Sequence, residues 1–443
     1  MNFNKPIVHE LVNFIALAIA IISLPFSVPV CHAGLLLLAA SWLAEGDWKR
    51  KWNDIKRKTF LWPFLLLFIL HLAGLIYSQD VTNGWLIMEK KAFFFLLPLI
   101  MATITIRSIY LNLLLKSFIV SSFIAVVICF SVAFNHALHP VRIPQNFDYA
   151  NSEEFKLLNP DISRTWSYFS YNELSSGINI HPTYLGLYIL FSILLVIHFY
   201  KQQESFLSGW KKTGMLFLLL FFSLFILLLA SRVITIVYIF ICMAGLSWIF
   251  FNSGRASLAI AGGILIFTVS AVSIFINPIS RYRSFQEFRH SSLSIETNKL
   301  YSTSSSMRLS LWWLGTQSIN TSNWSIGNGT GDVKETMKDT AAKYGITNTI
   351  NTYDPHNQFI YTLLSLGIVG VLTLMACLIM PLLQREFALS FLHLCFIGSI
   401  LIACFTESVF ELQKGIIFFS LFHSLFLFQY QPVQSPQLIV SHA

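Results

Sequence analysis

The stretch Ile109–Phe134, IYLNLLLKSFIVSSFIAVVICFSVAF, decides the fold class, because Lys116 is its only charged residue. A helix needs about 20 apolar residues to cross a bilayer, and this stretch exceeds that length. Comparable apolar segments recur along the whole chain. They predict membrane-spanning helices near 9–29, 30–45, 60–77, 92–106, 109–134, 181–200, 214–230, 233–251, 257–277, 356–381, 388–405 and 415–430.

The composition supports the same class. Of the 443 residues, 55% are apolar and 11% are charged, whereas a soluble domain carries about 25% charged residues. The chain is therefore predicted to be an all-α polytopic membrane protein with about twelve transmembrane helices. Its six cysteines lie inside apolar segments without a CxxC pair, which predicts buried thiols rather than a disulfide framework or a zinc site.

The distribution of charge predicts the orientation in the membrane. The net charge is +8, but Lys and Arg fall mostly in short gaps between apolar segments, unlike the basic patch of a nucleic-acid-binding domain. The most basic gap, 46–59, contains Lys49, Arg50, Lys51, Lys56, Arg57 and Lys58. The positive-inside rule then places this gap and both termini in the cytoplasm, and the polar segments 135–180 and 278–355 outside.

The same pattern divides the chain into three parts. Residues 1–277 are expected to hold the N-terminal spans with the outer loop 135–180, and residues 278–355 to form a periplasmic loop with short helices. Residues 356–443 are expected to hold the C-terminal spans and a cytoplasmic tail.

Arg232 is the most unusual charged residue, because it stands between two apolar segments that leave almost no loop. An Arg near the hydrocarbon edge is costly unless it faces a polar cavity or binds an anion. The alternative is an Arg in the hairpin that extends its side chain to the lipid headgroups.

Arg308 belongs to Met307–Trp313, a predicted amphipathic helix with a preceding serine as N-cap. In the first turn a cation opposes the helix dipole, which suggests a bound anion. The alternative is a surface Arg on a helix at the membrane interface. The following stretch, Gly327–Gly331, lacks the Lys-Ser/Thr ending of a P-loop and is predicted to form a tight turn.

His356 follows Asp354 and Pro355, which are expected to cap and start a span, so His356 lies at its outer mouth. A histidine there titrates near neutral pH and can take a proton from a hydroxyl. His181 opens another span from the outer side and is a weaker candidate. The outer segments contain no DxD, HExxH or paired His/Asp/Glu spacing, so neither a metal nor a cofactor is expected.

Several of these motifs, in their order and spacing, resemble the O-antigen ligase/polymerase family. They are Ser231-Arg232, Met307-Arg308 with Trp312-Trp313, Ile326-Gly327-Asn328-Gly329, Pro355-His356-Asn357, Gly367-Ile368-Val369-Gly370 and Phe405-Thr406-Glu407-Ser408. The resemblance covers roughly residues 160–430 through motifs and the whole chain through its pattern of spans.

The resemblance implies a GT-C-like, multi-pass transferase at the bacterial inner membrane, acting on the periplasmic face. Its donor would be a glycan on undecaprenyl diphosphate, and in the ligase branch its acceptor would be a sugar hydroxyl of the lipid A core. His356 would match the family's proposed base, and Arg232 and Arg308 would match the two arginines that hold the diphosphate. Glu407 is expected to orient one of these arginines.

Three further residues are candidates by the same resemblance. Either Lys90 or Lys91 would match a basic position near the lipid diphosphate, and the sequence does not distinguish them. Asn357 adjoins His356 in its motif. Outer aromatic residues either stack on sugars or form an interfacial belt; they are Trp166, Tyr168, Tyr171, Trp312 and Trp313.

Other functions remain open at this level. A polysaccharide polymerase and a protein O-oligosaccharyltransferase share the donor chemistry of the ligase. A transporter or lipid flippase would instead place ionisable residues at mid-membrane on several spans. In this sequence the unusual charges gather at the outer mouth, which favours a transferase.

Overall fold

The computed structural model describes residues 5–140, 160–202, 209–251, 256–283, 304–319, 322–346, 354–383 and 391–429. Every regular element within these ranges is helical, which confirms the predicted all-α class. The elements of the first half are α1 Lys5–Ser23, α2 Val28–Glu45, α3 Trp48–Arg57, α4 Leu61–Ile76, α5 Val81–Thr103, α6 Ser108–Leu138, α7 Pro160–Tyr168, α8 Tyr171–Ser175 and α9 Pro182–Gln202. Those of the second half are α10 Gly209–Leu228, α11 Arg232–Phe251, α12 Ala256–Ile276, α13 Pro278–Arg281, α14 Ser304–Gln317, α15 Val333–Lys343, α16 Gln358–Ile379, α17 Phe391–Cys404 and α18 Gln413–Phe428. Single 3₁₀ turns occur at Ser176–Ile178, Met380–Leu383 and Val409–Glu411.

Each of the twelve predicted spans overlaps one of these helices, yet the helices differ in length. Among the described residues, five are long and apolar enough to cross a bilayer alone, namely α2, α6, α9, α10 and α16 with its 3₁₀ extension. A sixth results if α3 and α4 count as one bent span. Several others are apolar but shorter. The fold is therefore compatible with a polytopic membrane protein, and the count of twelve stays a prediction.

The basic gap at 46–59 is largely helical rather than a loop. Within it, α3 meets α4 at an angle of 98°. Gly46 and Asp47 both have positive φ, +67° and +50°, and this backbone turns the chain sharply between α2 and α3. Trp48 and Trp52 are exposed on α3 among its lysines and arginines. Tryptophans flanked by cations are typical of a helix that lies along a membrane surface.

The bundle has a basic end and an opposite end, which α5 and α18 connect. At the basic end, Gln429 after α18 donates to the Met101 carbonyl of α5 at 2.6 Å, and Arg50 of α3 donates to the Thr103 carbonyl at 2.8 Å. At the opposite end, Lys91 of α5 contacts the 3₁₀ turn that immediately precedes α18. The two helices thus run parallel between the two ends.

The centre of the bundle is α9, which is buried along almost its whole length. Phe191 of α9 lies within 4.6 Å of Phe422, 5.0 Å of Phe396 and 5.5 Å of Phe118, measured between ring centroids. These rings belong to α18, α17 and α6. Inclined aromatic pairs at such distances are favourable beyond their buried area. Aromatic packing therefore joins three helices to the central one.

The glycine-rich stretch after α14 is fastened to a break in α16. Gly367 has φ +66° and ψ −166°, which interrupts the helical hydrogen bonds. The carbonyls of Leu364 and Ser365 accept instead from the backbone N–H groups of Asn328 and Gly329, at 2.8 and 3.1 Å. Backbone groups freed by a kink at bilayer depth must find protein partners. The glycine-rich stretch supplies them.

The same stretch is tied to the turn between α4 and α5. The Asp332 carboxylate accepts from the backbone N–H groups of Gln79 and Asp80, both at 2.8 Å. The Thr330 hydroxyl donates to the His71 carbonyl at 2.6 Å. The backbone N–H of Gly331 donates to the Ser78 hydroxyl at 2.9 Å. The N–H groups that a phosphate-binding loop would offer are thus occupied, but residues 327–331 bond to other segments and do not form the predicted tight turn, which lies just before them at 322–326.

Replacing Gly367 by Ala should destabilise the protein. Its backbone lies in a region that is almost exclusive to glycine, and a Cβ would come within 2.2 Å of the Ser325 carbonyl carbon. Such strain costs on the order of 1–3 kcal/mol. We expect a lower unfolding temperature of Gly367→Ala in detergent. Gly398→Ala, in a helix with nothing within 4 Å of a new Cβ, is the control and should equal or exceed the parent. Equal unfolding temperatures of both variants would contradict the role of the break.

Candidate active site

The segment that carries His356 is held by two neighbouring side chains. Asn357 is the N-cap of α16, and its side-chain oxygen accepts from the N–H groups of Phe359 and Ile360 at 3.0 and 3.1 Å. Asp354, the predicted cap, instead accepts from the His356 backbone N–H at 2.8 Å. The prediction of an Asp354 cap was therefore wrong, because two residues able to cap stand close together and the later one has the extended backbone that a cap requires. His356 itself lies just before the helix with φ +46°.

Glu407 joins two of the predicted site residues. One carboxylate oxygen lies 3.1 Å from His356 Nδ1, and the other accepts from an Nη of Arg308 at 2.5 Å. The exposed fraction of the side chain is 8% for Glu407, 22% for Arg308 and 32% for His356. The structure thus brings together three residues from α14, the start of α16 and the connection between α17 and α18. The carboxylate is buried, while its two partners remain accessible.

Arg308 does not lie in the first turn of its helix, contrary to the sequence prediction. α14 begins at Ser304, one full turn before Arg308. The free N–H groups of a helix start belong to its first turn, so the expected conflict with the helix dipole does not arise. The group that faces the Arg308 guanidinium is the carboxylate of Glu407. The N–H groups at the helix start do not face it. On the same helix, Trp312 Nε1 donates to the His356 carbonyl at 3.4 Å.

The start of α16 is also fastened to the connection between α17 and α18. Asn357 donates to the Phe405 carbonyl at 3.1 Å. The Gln358 side chain accepts from the Phe410 N–H at 2.7 Å and donates to Glu411 at 3.0 Å. With the contact of His356 to Glu407, three consecutive residues each hold a different point of that connection. Such fixation reduces the reorganisation that catalysis would require.

Glu407 also sets the protonation of His356. Burial alone would lower the pKa of His356, but the hydrogen bond and the negative charge of Glu407 outweigh it and raise the pKa above its ordinary value. For Glu407, burial would raise the pKa, but His356 and Arg308 outweigh it and lower the pKa. A carboxylate only accepts hydrogen bonds, so neutral His356 carries its proton on Nδ1. The lone pair of Nε2 is then available as a base.

The two lysine candidates have different surroundings. Lys91 is buried, and its ammonium contacts Glu411 at 2.6 Å and the Phe410 carbonyl at 2.7 Å. Lys90 is only partly buried and donates to the Glu411 backbone carbonyl at 3.2 Å. Lys91 is therefore engaged in holding the connection beside His356, whereas Lys90 is the more accessible of the pair.

Arg232, Arg283 and His181 form a second group. Arg232 is the first residue of α11, and it donates to the Arg283 carbonyl at 3.2 Å. The Arg283 guanidinium stacks 3.5 Å above the Tyr171 ring, whose centroid lies 6.3 Å from that of His181. Desolvation lowers the pKa of His181, and the charge of Glu407 opposes this effect. The charge of Glu407 therefore reaches His181. The guanidinium of Arg232, in contrast, contacts the backbone carbonyl of Arg283.

Sequence reasoning missed three residues of this region. Arg283 stands in an Arg-Tyr-Arg triplet after a span, a pattern that also occurs in ordinary loops. Glu411 and Gln358 are close in sequence to candidate residues. Their contact joins the start of α16 to the turn before α18, and residues so far apart in the sequence give no local pattern that predicts it. In the part of the chain that the structure describes, no three His, Cys, Asp or Glu side chains group as metal ligands would.

Replacing Glu407 by Gln should lower the pKa of His356. The substitution removes the charge that raises this pKa, while desolvation and the nearby Arg308, which lower it, remain. Diethylpyrocarbonate modifies neutral histidine, so the pH of half-modification of His356, followed by peptide mass spectrometry, should move down in Glu407→Gln. Glu335→Gln on α15, whose side chain is exposed, is the control. An unchanged midpoint in Glu407→Gln would refute the coupling.

Comparison with known protein families agrees with the resemblance found in the sequence. Residues 215–375 match a family model described as O-antigen ligase. The matched range includes Arg232, Arg308 and His356 and ends before Glu407. No curated protein matches the chain. This match confirms the resemblance to the O-antigen ligase family over residues 215–375.

Proposed function

We propose that the protein is a glycosyltransferase of the bacterial inner membrane that acts as an O-antigen ligase. It moves a glycan from undecaprenyl diphosphate to a sugar hydroxyl of the lipid A core, without a metal and with inversion at the anomeric carbon. The observation that carries the proposal is the cluster of Arg308, Glu407 and His356, in which one buried carboxylate holds a cation and a base. A GT-C-like arrangement of about twelve spans belongs to the same proposal.

The reaction needs a base on the acceptor and cations on the leaving group. Nε2 of His356 takes the proton of the acceptor hydroxyl as its oxygen attacks the anomeric carbon. The bond from that carbon to the diphosphate oxygen breaks, and its electron pair leaves with the diphosphate. Arg308 and Arg232 stabilise the negative charge that develops there. Attack from the face opposite the leaving group inverts the configuration.

Glu407 acts as a positioning residue in this scheme. Its contact with Nδ1 orients the imidazole and stabilises the imidazolium that forms, as a carboxylate does behind a catalytic histidine. Its contact with Arg308 engages one terminal nitrogen of a group that has five N–H donors. The remaining donors can bind phosphate oxygens. A guanidinium keeps its charge at every relevant pH, so two of them can supply the electrostatic role of a metal ion.

The orientation of the site follows from the charge distribution. The cluster lies at the end of the bundle opposite the basic α3, as the contacts of α5 and α18 demonstrate. With the basic end in the cytoplasm, the cluster faces the periplasm and both termini are cytoplasmic. Undecaprenyl-linked glycan and lipid A core would then meet it from the bilayer, and Lys90 would be the lysine available to the lipid diphosphate.

The same cluster would serve a polymerase or a protein O-oligosaccharyltransferase. The ligase is favoured because the outer segment 135–180 is the shorter of the two predicted outer segments. A transporter is disfavoured because the ionisable residues of the cluster meet at one end of the bundle. Transport sites lie near the bilayer midplane.

A reconstituted transfer assay tests the proposal. Liposomes containing the protein and a labelled undecaprenyl-diphosphate glycan, in excess EDTA, would receive lipid A core or a protein acceptor separately. We expect label on lipid A core, with a loss of about 10²- to 10⁴-fold in His356→Ala, as for removal of a general base. His139→Ala, an exposed histidine after α6, is the matched control. A ladder on the carrier would indicate a polymerase, label on protein an oligosaccharyltransferase, and label confined to its carrier a transporter.

Replacing Arg308 by Lys should slow transfer although it keeps the charge. An ammonium cannot reproduce the planar fork that holds both Glu407 and a phosphate. Loss of one or two charge-assisted hydrogen bonds corresponds to about 10- to 100-fold in turnover. Arg57→Lys, exposed at the basic end, is the control and should retain the parent rate in the same liposome assay. Near-normal turnover of Arg308→Lys would exclude the clamp role.

A further inference from the structure

Arg283 is a buried cation that the proposed transfer scheme does not use. Only 3% of this residue is exposed. Among the residues that the structure describes, no carboxylate pairs with its guanidinium, and its Nε has no hydrogen-bond partner. The Tyr171 ring stacks on the guanidinium at 3.5 Å, but a ring carries no net charge and compensates the burial only in part.

The terminal nitrogens of Arg283 differ from its Nε. The Nε is enclosed by protein atoms, whereas the two Nη atoms are not fully enclosed and donate no hydrogen bond within the described ranges. Each Nη carries two N–H donors in the plane of the guanidinium. An anion that reaches this group therefore finds unused donors in the fork geometry that suits phosphate oxygens.

The segment that carries Arg283 is fixed by contacts on two sides. Asn277, which caps α13 with its side-chain oxygen, donates to the Ser170 hydroxyl at 3.0 Å. The Arg283 carbonyl accepts from Arg232 at 3.2 Å. Because Ser170 directly precedes Tyr171, the first contact also fixes the ring beneath the guanidinium. The cation is thus held in place before any ligand arrives, as a binding site requires.

Backbone strain is concentrated in the same region. Five non-glycine residues of the described chain have positive φ. Four of them belong to the cluster around Glu407 or to the group of Arg232, Arg283 and His181, contact a member of these groups, or lie within two residues of one. These four are Tyr171, Asn179, Ala230 and His356, with φ between +46° and +51°. Bulky residues rarely adopt this conformation, and such strain is typical of ligand sites.

Arg283 lies beside the cluster around Glu407. The charges of Arg283, Arg308 and Glu407 all influence the pKa of His181, so the two groups adjoin. Arg308 is joined to the base His356 through Glu407, whereas the contacts described for Arg283 are with Tyr171 and Arg232. Arg308 is therefore the arginine nearer to the reacting bond, and Arg283 is farther along the leaving group.

We propose that Arg283 binds the lipid-side phosphate of a polyprenyl diphosphate, the phosphate that does not bear the sugar. This inference rests on the proposed function, which supplies the donor. In the transfer step the electron pair of the broken bond goes to the sugar-side phosphate, so the charge of the lipid-side phosphate changes little. A contact with the latter holds the donor equally well in the ground state and the transition state. Arg283 therefore determines affinity for a diphosphate carrier over a monophosphate carrier.

Binding of undecaprenyl diphosphate without a glycan tests the inference apart from transfer. The full-length protein in detergent is titrated with undecaprenyl diphosphate or undecaprenyl monophosphate, and bound lipid is measured by native mass spectrometry. We expect Arg283→Met to weaken diphosphate binding by about 10- to 100-fold, as for the loss of a charge-assisted hydrogen bond, and to leave monophosphate binding unchanged. Arg107→Met, at an exposed arginine of the basic end, is the matched control and should bind both lipids as the parent does.

The outcomes separate this inference from the proposed function. Parental affinity of Arg283→Met for the diphosphate would overturn the inference and leave the proposed function intact. If the parent protein itself does not bind undecaprenyl diphosphate, the proposed donor is wrong and the inference fails with it.

The unfolding temperature distinguishes a binding role from a structural one. Without ligand, Arg283→Met removes a buried cation that lacks a counter-charge, so its unfolding temperature should equal or exceed that of the parent. Undecaprenyl diphosphate should raise the unfolding temperature of the parent more than that of the variant. A marked decrease in ligand-free Arg283→Met would assign the residue a structural role and refute the proposal.

The kinetic effect should differ from that of Arg308. In the liposome assay, Arg283→Met and Arg283→Lys should raise the KM for the donor and keep kcat near the parental value, because the contact is equally strong in the ground state and the transition state. Arg308→Lys should instead lower kcat. An equal loss of kcat in both Arg283 variants would contradict the assignment to the lipid-side phosphate.

Discussion

The burial of Glu407 is the constraint on which the arrangement of the site depends. A carboxylate taken out of water is stable only if cations or hydrogen-bond donors replace its hydration. Arg308 and His356 do so from two other segments, one on each oxygen. The site therefore needs α14, the start of α16 and the chain after α17 in place together, and none of these segments can carry it alone.

A second buried acid extends this arrangement. Glu411 lies four residues after Glu407 and contacts Lys91 and Gln358. The connection between α17 and α18 thus holds α14 and α16 through one carboxylate and α5 through the other. Replacing Arg308 or Lys91 by an uncharged residue would leave a buried carboxylate without its cation. Such a loss is more damaging than replacing both partners of the ion pair together. In the chain between α17 and α18, the same contacts therefore stabilise the fold and position the side chains of the site.

Much of this organisation could be predicted from the sequence, and the rest could not for identifiable reasons. The apolar segments located the helices, because bilayer length and backbone satisfaction leave few alternatives. The sequence singled out His356 by its place before a span, and it singled out Arg308 on a premise about the helix start that the structure does not support. Asp354 was mistaken for the cap because Asn357, three residues later, can cap as well, and because Ser408, which donates to Asp354 at 2.5 Å, is distant in sequence. Lys90 and Lys91 could not be distinguished, because only packing decides which side of α5 faces inward. The break at Gly367 has no local signal, since its partners lie in the stretch after α14, distant in sequence.

The backbone at His356 imposes a condition on evolution that is separate from acid–base chemistry. Its left-handed φ of +46° suits glycine, and among other residues asparagine, aspartate and histidine are enriched in such conformations. Of these four, histidine alone has a side chain that titrates near neutral pH. Two independent requirements, one steric and one chemical, therefore converge on a single amino acid. In the proposed reaction, where His356 is the base, glycine, asparagine or aspartate at this position would keep the turn but would not supply a base that titrates near neutral pH.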